Sequence, residues 1–143
     1  MKYKLVRFSD LSVGQTGSFS KTVTEADIGH FVAITGDVNP LHVNEEFASS
    51  TFFGSRIAHG MLSAALFSTL VGQVLPGVGS IYRSQSLDFL RPVRIGDTLT
   101  ATFEITSLNK KENLIHLDCA MRNQKNQRVI IGKAVVSLIK QPD

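Results

Sequence analysis

The sequence predicts an α+β fold in which a curled antiparallel β-sheet wraps around one central, buried helix. Residues 60–74 are apolar nearly all round, which is typical of a helix that protein surrounds on every side. After Pro76 and Gly77, apolar and polar residues alternate between short polar turns, as expected for antiparallel strands. A helix layer and a sheet layer around one core form a two-layer domain, which we place at residues 1–143.

The first half of the chain carries the signals of short helices. Thr24 is a typical N-cap, because acidic residues follow it in the first turn, and Gly36 can end that helix in a left-handed conformation. Asn44 is the expected cap of a second, shorter helix. The elements predicted here are a strand at 18–23, helices at 25–35, 45–48 and 60–74, and an irregular loop at 51–56.

Four strands are predicted in the second half, at 80–90, 97–108, 114–122 and 128–139, with polar hairpin loops at 109–113 and 123–127. Alternation is clearest in the second of them, where Leu99, Ala101, Phe103 and Ile105 share one face. A sheet of this kind around a helix is the hot-dog arrangement. One such unit leaves sheet edges and part of the helix uncovered, so we expect a homodimer.

The composition excludes several classes of function. The formal net charge is +3, and no basic run with interleaved aromatics indicates nucleic-acid binding. Polar residues and glycines interrupt the longest apolar stretch, 57–75, so we expect no membrane span. Cys119 is the only cysteine, which rules out an intramolecular disulfide and a cysteine-based metal cluster. Because residues 1–10 also lack an apolar signal core, we expect a cytoplasmic protein.

One connector, Gly-Asp-Val-Asn-Pro-Leu-His at 36–42, places an acid and an imidazole close together. Pro40 lacks a backbone N–H and restricts Asn39, so we expect a stiff connector that is not regular helix. The paired Asp37 and His42 can move protons at neutral pH. The alternative is that Asp37 caps a turn and His42 is a structural histidine, and the spacing alone leaves these two interpretations nearly balanced.

Residues 31–42, Phe-Val-Ala-Ile-Thr-Gly-Asp-Val-Asn-Pro-Leu-His, closing with Ala48, resemble the hydratase-2 motif of the R-specific enoyl-CoA hydratases and MaoC-like dehydratases. The likeness covers nearly the whole chain, through the segments 58–61, 79–82, 89–93 and 96–97. It implies a hydro-lyase that adds water reversibly to a trans-2-enoyl thioester and gives an (R)-3-hydroxyacyl thioester. It implies no metal or redox cofactor, and a substrate carried by coenzyme A or by acyl carrier protein.

The resemblance also implies roles for individual residues. Asp37 would be the general base, and His42 would orient the water and deliver a proton to C2. The backbone N–H of Gly60 would stabilise the charge that develops on the thioester oxygen. Asn39 and Ser68 would join Gly60 in binding the substrate, and an alternative for Ser68 is a hydrogen bond within its own helix.

Small residues recur along the predicted central helix. Gly60, Ala64 and Ser68 are spaced by four, so they share one helix face, where they leave room for an acyl chain. Val71 lies further along that face and would limit the length of the chain. The alternative is that these small residues only allow close packing of the helix against the sheet.

The other titratable residues suggest less. His59 is a candidate for a second catalytic histidine, but its interpretation as a helix-entry residue is favoured, and His30 and His116 are expected to face outward. A metal site is not predicted, because Asp37 and His42 are only two ligands and no zinc-binding spacing is present. The candidates for contacts with coenzyme A phosphates are Arg83, Arg91, Arg94, Lys110 and Lys111, although surface strands and turns carry such residues in any case.

Three rival functions remain. A 3-hydroxyacyl-ACP dehydratase would run the same reaction in reverse, a thioesterase would share the fold, and a non-catalytic subunit would only bind the acyl thioester. The presence of Asp37, Asn39 and His42 together argues against the last two.

Overall fold

The computed structural model describes residues 3–139, so the predicted domain limits at 1 and 143 lie outside the described residues. Its helices are α1 (Glu25–Thr35), α2 (Pro40–Val43), α3 (Glu45–Ser49), α4 (Gly60–Ala64) and α5 (Leu66–Thr69), followed by a π-helical turn (Leu70–Val74). Its strands are β1 (Thr16–Thr22), β2 (Ser80–Gln85), β3 (Asp88–Phe89), β4 (Thr98–Asn109), β5 (Leu114–Arg122) and β6 (Arg128–Leu138). Within this range we find no helix with the length and apolar character that crossing a membrane requires.

The strands form one antiparallel sheet in the order β1-β4-β5-β6-β2, and β3 pairs separately with β6. Register shifts interrupt the β4–β5 pairing between Ile105 and Ser107 and the β2–β6 pairing between Tyr82 and Ser84. Such irregularities bend strands and increase twist, which lets the sheet curl around the helix. The predicted α+β hot-dog architecture is confirmed.

The core lies between the concave face of the sheet and the helical stretch that contains α4, α5 and the π-helical turn. The predicted alternation in β4 is confirmed, because Leu99, Ala101, Phe103 and Ile105 are all buried. Phe67 of α5 stacks on Phe103, with ring centroids 5.4 Å apart and nearly parallel planes. This contact fixes the central helix against the middle of the sheet.

The caps predicted in the first half are confirmed. The Thr24 side chain accepts a hydrogen bond from the Asp27 N–H, and the Asp27 carboxylate accepts one from the Thr24 N–H, which together form a capping box. Gly36 ends α1 with a φ of 75°, and the Asn44 side chain caps α3 through the Phe47 N–H. The connector that follows α1 therefore leaves the helix in a defined direction.

The connector contains a helical turn that we did not predict. Pro40 occupies the first position of α2. A residue at this position makes no N–H hydrogen bond within the helix, so the missing N–H of proline costs nothing, and the fixed φ of proline suits the helix. The expectation that residues 36–42 contain no regular helix is therefore wrong for the segment that carries His42. The His42 side chain on this helical turn is buried in the protein.

The central helix is neither continuous nor fully covered. The predicted helix at 60–74 is divided into α4, α5 and the π-helical turn, and Met61, Ala65 and Ser68 leave an exposed stripe along it. The exposed stripe agrees with the expectation that a single unit leaves part of the helix uncovered. The predicted strand at 80–90 is divided into β2 and β3, where the Ser86 carbonyl approaches Gly132 so closely that a Cβ there would lie 1.9 Å from the oxygen.

Candidate active site

A chain of short-range hydrogen bonds fixes the connector between α1 and α2. The Asp37 N–H donates to Thr35 Oγ1 over 3.2 Å, and the Asn39 N–H donates to Asp37 Oδ1 over 3.1 Å. The Leu41 N–H in turn donates to Asn39 Oδ1 over 3.1 Å, which makes Asn39 the N-cap of α2. These bonds hold the Asp37 carboxylate at the surface in a single orientation.

His42 is 9% exposed and presents one defined ring nitrogen. Its Nδ1 lies 2.8 Å from the Ile57 carbonyl oxygen, which can only accept, so Nδ1 carries the proton. In the neutral ring Nε2 is then an acceptor. Arg56 holds α2 in place, because its guanidinium donates a hydrogen bond to the His42 carbonyl and forms ion pairs with Glu25 and Glu45.

His59 is the third side chain of the cluster. It is the N-cap residue of α4, which confirms the helix-entry position that the sequence predicts. Its Nε2–H donates to the Asp37 carbonyl oxygen over 3.0 Å, and its ring lies against the His42 ring with centroids 3.9 Å apart. Only 2% of His59 is exposed. The sequence favours a helix-entry role for His59 over a catalytic one, and the fold places it at the helix entry and beside residues 37 and 42 as well.

The three side chains come close enough to share one small ligand. One carboxylate oxygen of Asp37 and one nitrogen from each of His42 and His59 all lie within 4.8 Å of one another. Two atoms that each hydrogen-bond the same water at about 2.8 Å are separated by up to roughly 5 Å. The arrangement can therefore hold a water between the carboxylate and the imidazole.

The same atoms are of the types that a metal ion binds. The sequence argument against a metal site counted Asp37 and His42 as the only two ligands, and His59 is a third candidate. Two of the four imidazole nitrogens are already engaged, because His42 Nδ1 and His59 Nε2 lie at hydrogen-bond distance from backbone carbonyls. The absence of a metal stays a prediction.

Two cavities meet this cluster. The first has a volume of about 290 Å³ and is lined by His42 and Gly60 together with Phe89 and Arg91. The second is an open, apolar groove of about 840 Å³ that runs from Asp37 along the exposed stripe of the central helix. The carboxylate and the imidazole thus border neighbouring spaces.

Gly60 opens the first cavity. As the first residue of α4 it has no earlier helical carbonyl to bond, and within residues 3–139 its N–H finds no other acceptor. A Cβ at this position would lie 2.9 Å from the Phe89 ring, so only glycine fits beneath the aromatic side chain without displacing it. The backbone here is available to a ligand.

The remaining predicted pocket residues are divided between groove and core. Ala64 and Ser68 line the groove, whereas Val71 is 3% exposed, belongs to the hydrophobic core and lines neither cavity. Asn39 caps α2 and also lines neither cavity. Tyr82 also lines the groove. Burial raises the pKa of its hydroxyl, so the side chain is neutral at physiological pH.

The basic side chains considered for phosphate contacts are dispersed. Arg91 borders the first cavity and donates to the Arg128 carbonyl, and Arg83 borders the groove and donates to Ser137. Arg94 is occupied by the Phe53 carbonyl and Ser55, and Lys110 and Lys111 line a separate cavity of about 350 Å³. The two cavities of the site are therefore bordered by Arg91 and Arg83.

Comparison with known proteins supplies the context of this site. A family model described as "MaoC like domain" matches residues 11–126. The (R)-specific enoyl-CoA hydratase of Rhodospirillum rubrum is 47% identical over 90% of this chain and 89% of its own, and the 3-hydroxybutyryl-CoA dehydratase of Methylorubrum extorquens is 39% identical over 98% and 88%. The solved (R)-hydratase of Aeromonas caviae, described as involved in PHA biosynthesis, superposes with a TM-score of 0.87 at 44% identity and covers 90% of this chain and 98% of its own.

Proposed function

The chain belongs to the MaoC-like domain family, and from this premise we propose that it is an (R)-specific enoyl-CoA hydratase. The observation that carries the proposal is the approach of the Asp37 carboxylate and a His42 ring nitrogen to within 4.8 Å, with His42 Nδ1 held by a carbonyl so that Nε2 is free. The reaction is the reversible addition of water to a trans-2-enoyl thioester.

In the proposed reaction one water lies between Asp37 and His42. Its oxygen attacks C3 of the conjugated thioester while one of its protons passes to the pair, with the ionised Asp37 as general base. The proton that Asp37 takes is passed to Nε2 of His42, which starts without one, and from there to C2, so the pair ends with the number of protons it started with. Attack from one face of the bound substrate gives the (R)-3-hydroxyacyl thioester.

Negative charge moves to the thioester oxygen as water adds. We assign its stabilisation to the free N–H of Gly60, because a donor already fixed in place pays no reorganisation cost when the charge forms. The groove beside Ala64 and Ser68 accepts the acyl chain, and Val71, which is buried in the core and lines neither cavity, is not assigned a role in limiting its length. Asn39 contributes by capping α2 and so fixing both catalytic side chains.

We also propose a homodimer, because one chain leaves two surfaces open. The groove is apolar, its stripe of Met61, Ala65 and Ser68 is exposed, and β2 forms one edge of the sheet. A second copy would cover both. We further propose a single domain and a cytoplasmic location. We propose coenzyme A as the carrier, because the relatives at 39–47% identity are named for coenzyme A thioesters.

A direct assay separates this function from its rivals. The purified protein is incubated with a short trans-2-enoyl-CoA, and the ultraviolet absorbance of the conjugated thioester is followed with free thiol measured in parallel. Loss of conjugation without thiol release is expected, and the same rate is expected after dialysis against a chelator. Release of thiol would identify a thioesterase, and inactivity over a range of chain lengths on both carriers would exclude catalysis of this reaction.

A further inference from the structure

Ser63 carries a buried hydroxyl that the folded chain leaves unused. The residue is 0% exposed, and its Oγ has no hydrogen-bond partner among the described residues. A serine within a helix usually satisfies its hydroxyl on the carbonyl one turn earlier, as Thr35 does on Phe31 over 2.7 Å. A buried hydroxyl without a partner costs about 1–3 kcal/mol, so this position is explained best by a partner that binds from outside the chain.

The position of Ser63 indicates where that partner lies. Ser63 lines the 290 Å³ cavity together with His42 and Gly60, so the residue borders the space in which the proposed reaction occurs. Helical side chains lean toward the helix N-terminus and over the residue three positions earlier, which here is Gly60. The Ser63 hydroxyl and the Gly60 N–H therefore converge on the same end of the cavity.

We propose that Ser63 Oγ–H donates a second hydrogen bond to the thioester oxygen of the substrate, beside the Gly60 N–H. The assignment rests on the proposed hydration, in which that oxygen gains negative charge when water adds to C3. Two donors from successive positions of one helix face match the two lone pairs of a carbonyl oxygen. His42 has its remaining nitrogen committed to the water, so Ser63 is the side-chain hydroxyl of this cavity available for the role.

The first test is the Ser63→Ala variant, with Ser80→Ala as a matched control. Ser80 Oγ is also buried and unpartnered among the described residues, but Ser80 lines neither cavity of the site. We expect kcat of Ser63→Ala to fall about 10- to 100-fold, at or below the loss seen when a fixed oxyanion donor is removed, with a smaller change in KM. Both variants should unfold at or above the wild-type temperature, because neither loses a hydrogen bond within the protein.

The second test reads the hydrogen bond itself. An enoyl-CoA with a ¹³C-labelled thioester carbonyl is bound to the inactive Asp37→Asn protein and to the Asp37→Asn/Ser63→Ala protein, and the carbonyl stretch is recorded by isotope-edited infrared difference spectroscopy. Loss of a donor should move the stretch to higher frequency. An unchanged kcat in Ser63→Ala, or an unchanged stretch in the double variant, would overturn the assignment while leaving hydration by the wild-type protein intact. Failure of the wild-type protein to hydrate any enoyl thioester would instead refute the proposed function.

Discussion

Replacement of Asp37 by asparagine tests the proposed base with little change in shape. The Asp37 carboxylate accepts the Asn39 N–H through Oδ1 over 3.1 Å, and the amide oxygen of asparagine can accept the same bond. The His59 contact is made to the Asp37 backbone carbonyl, so the substitution leaves it in place. The connector and α2 should therefore keep their positions, and the difference between the two proteins is the ability to take a proton from water.

The expected loss follows from that difference. A positioned general base contributes typically about 10²- to 10⁴-fold to a rate. At about 1.4 kcal/mol for each factor of ten, the Asp37→Asn variant should show a barrier higher by roughly 3–5 kcal/mol. Its unfolding temperature should stay near that of the wild type, because Asp37 is exposed and its local hydrogen bond is retained.

The measurement is the decrease in ultraviolet absorbance of a short trans-2-enoyl-CoA, with Asp10→Asn as the control. Asp10 also accepts a backbone N–H, from Arg7 over 3.0 Å, but it lines neither cavity of the site. The control should therefore keep the wild-type rate. A folded Asp37→Asn protein that retains more than a tenth of the wild-type rate would show that the water is activated by another group.

Three further predictions concern other parts of the chain. Gly60→Ala should lower kcat/KM at least about tenfold with little effect on stability, because the new methyl must displace the half-exposed Phe89 ring, and adding Phe89→Leu should restore part of the rate. Burial raises the pKa of the Cys119 thiol to about 11, so the folded protein should react with a thiol reagent at pH 8 only as fast as it unfolds, and rapid modification under native conditions would contradict this. The hydrogen bonds from Arg56 lower the pKa of Glu25 below its ordinary 4.5, so this pair stabilises the fold above about pH 4.5 and loses its effect as the pH falls through the lowered pKa. Urea unfolding should thus separate wild type from Glu25→Gln at pH 6, with a difference that shrinks as the pH is lowered below 4.5, and a constant separation would exclude the pair as the cause.

The elements that local chemistry determines could be predicted from the sequence. The helix between Thr24 and Gly36 was found because its cap and its glycine act within one turn, and β5 begins and ends at the predicted residues. The hydratase-2 resemblance pointed to Asp37 and His42 for the same reason, since the two residues lie in one short segment.

The features that were missed depend on contacts between distant segments. The break between β2 and β3 occurs where Ser86 meets Gly132. His59 and Ser63 are also separated from the motif in sequence: His59 is a candidate for a second catalytic histidine but is interpreted as a helix-entry residue, and Ser63 is not singled out. α2 is the exception, since Pro40 at a first helical position is a local signal that sequence reasoning could have used.

The uneven burial of the catalytic pair connects the proposed dimer to the chemistry. His42 is enclosed by its own chain, whereas Asp37 is exposed at the end of an apolar groove that one chain leaves open. Charge stabilisation is stronger where water is excluded, and a stray water in the site would compete with the one that must attack C3. A second copy that packs over Met61, Ala65 and Ser68 would close the groove to solvent beside Asp37. The part of the groove that accepts the acyl chain would stay open beneath it. The same stripe, through the apolar side chains of Met61 and Ala65, would then both hold the dimer together and exclude bulk water from the carboxylate.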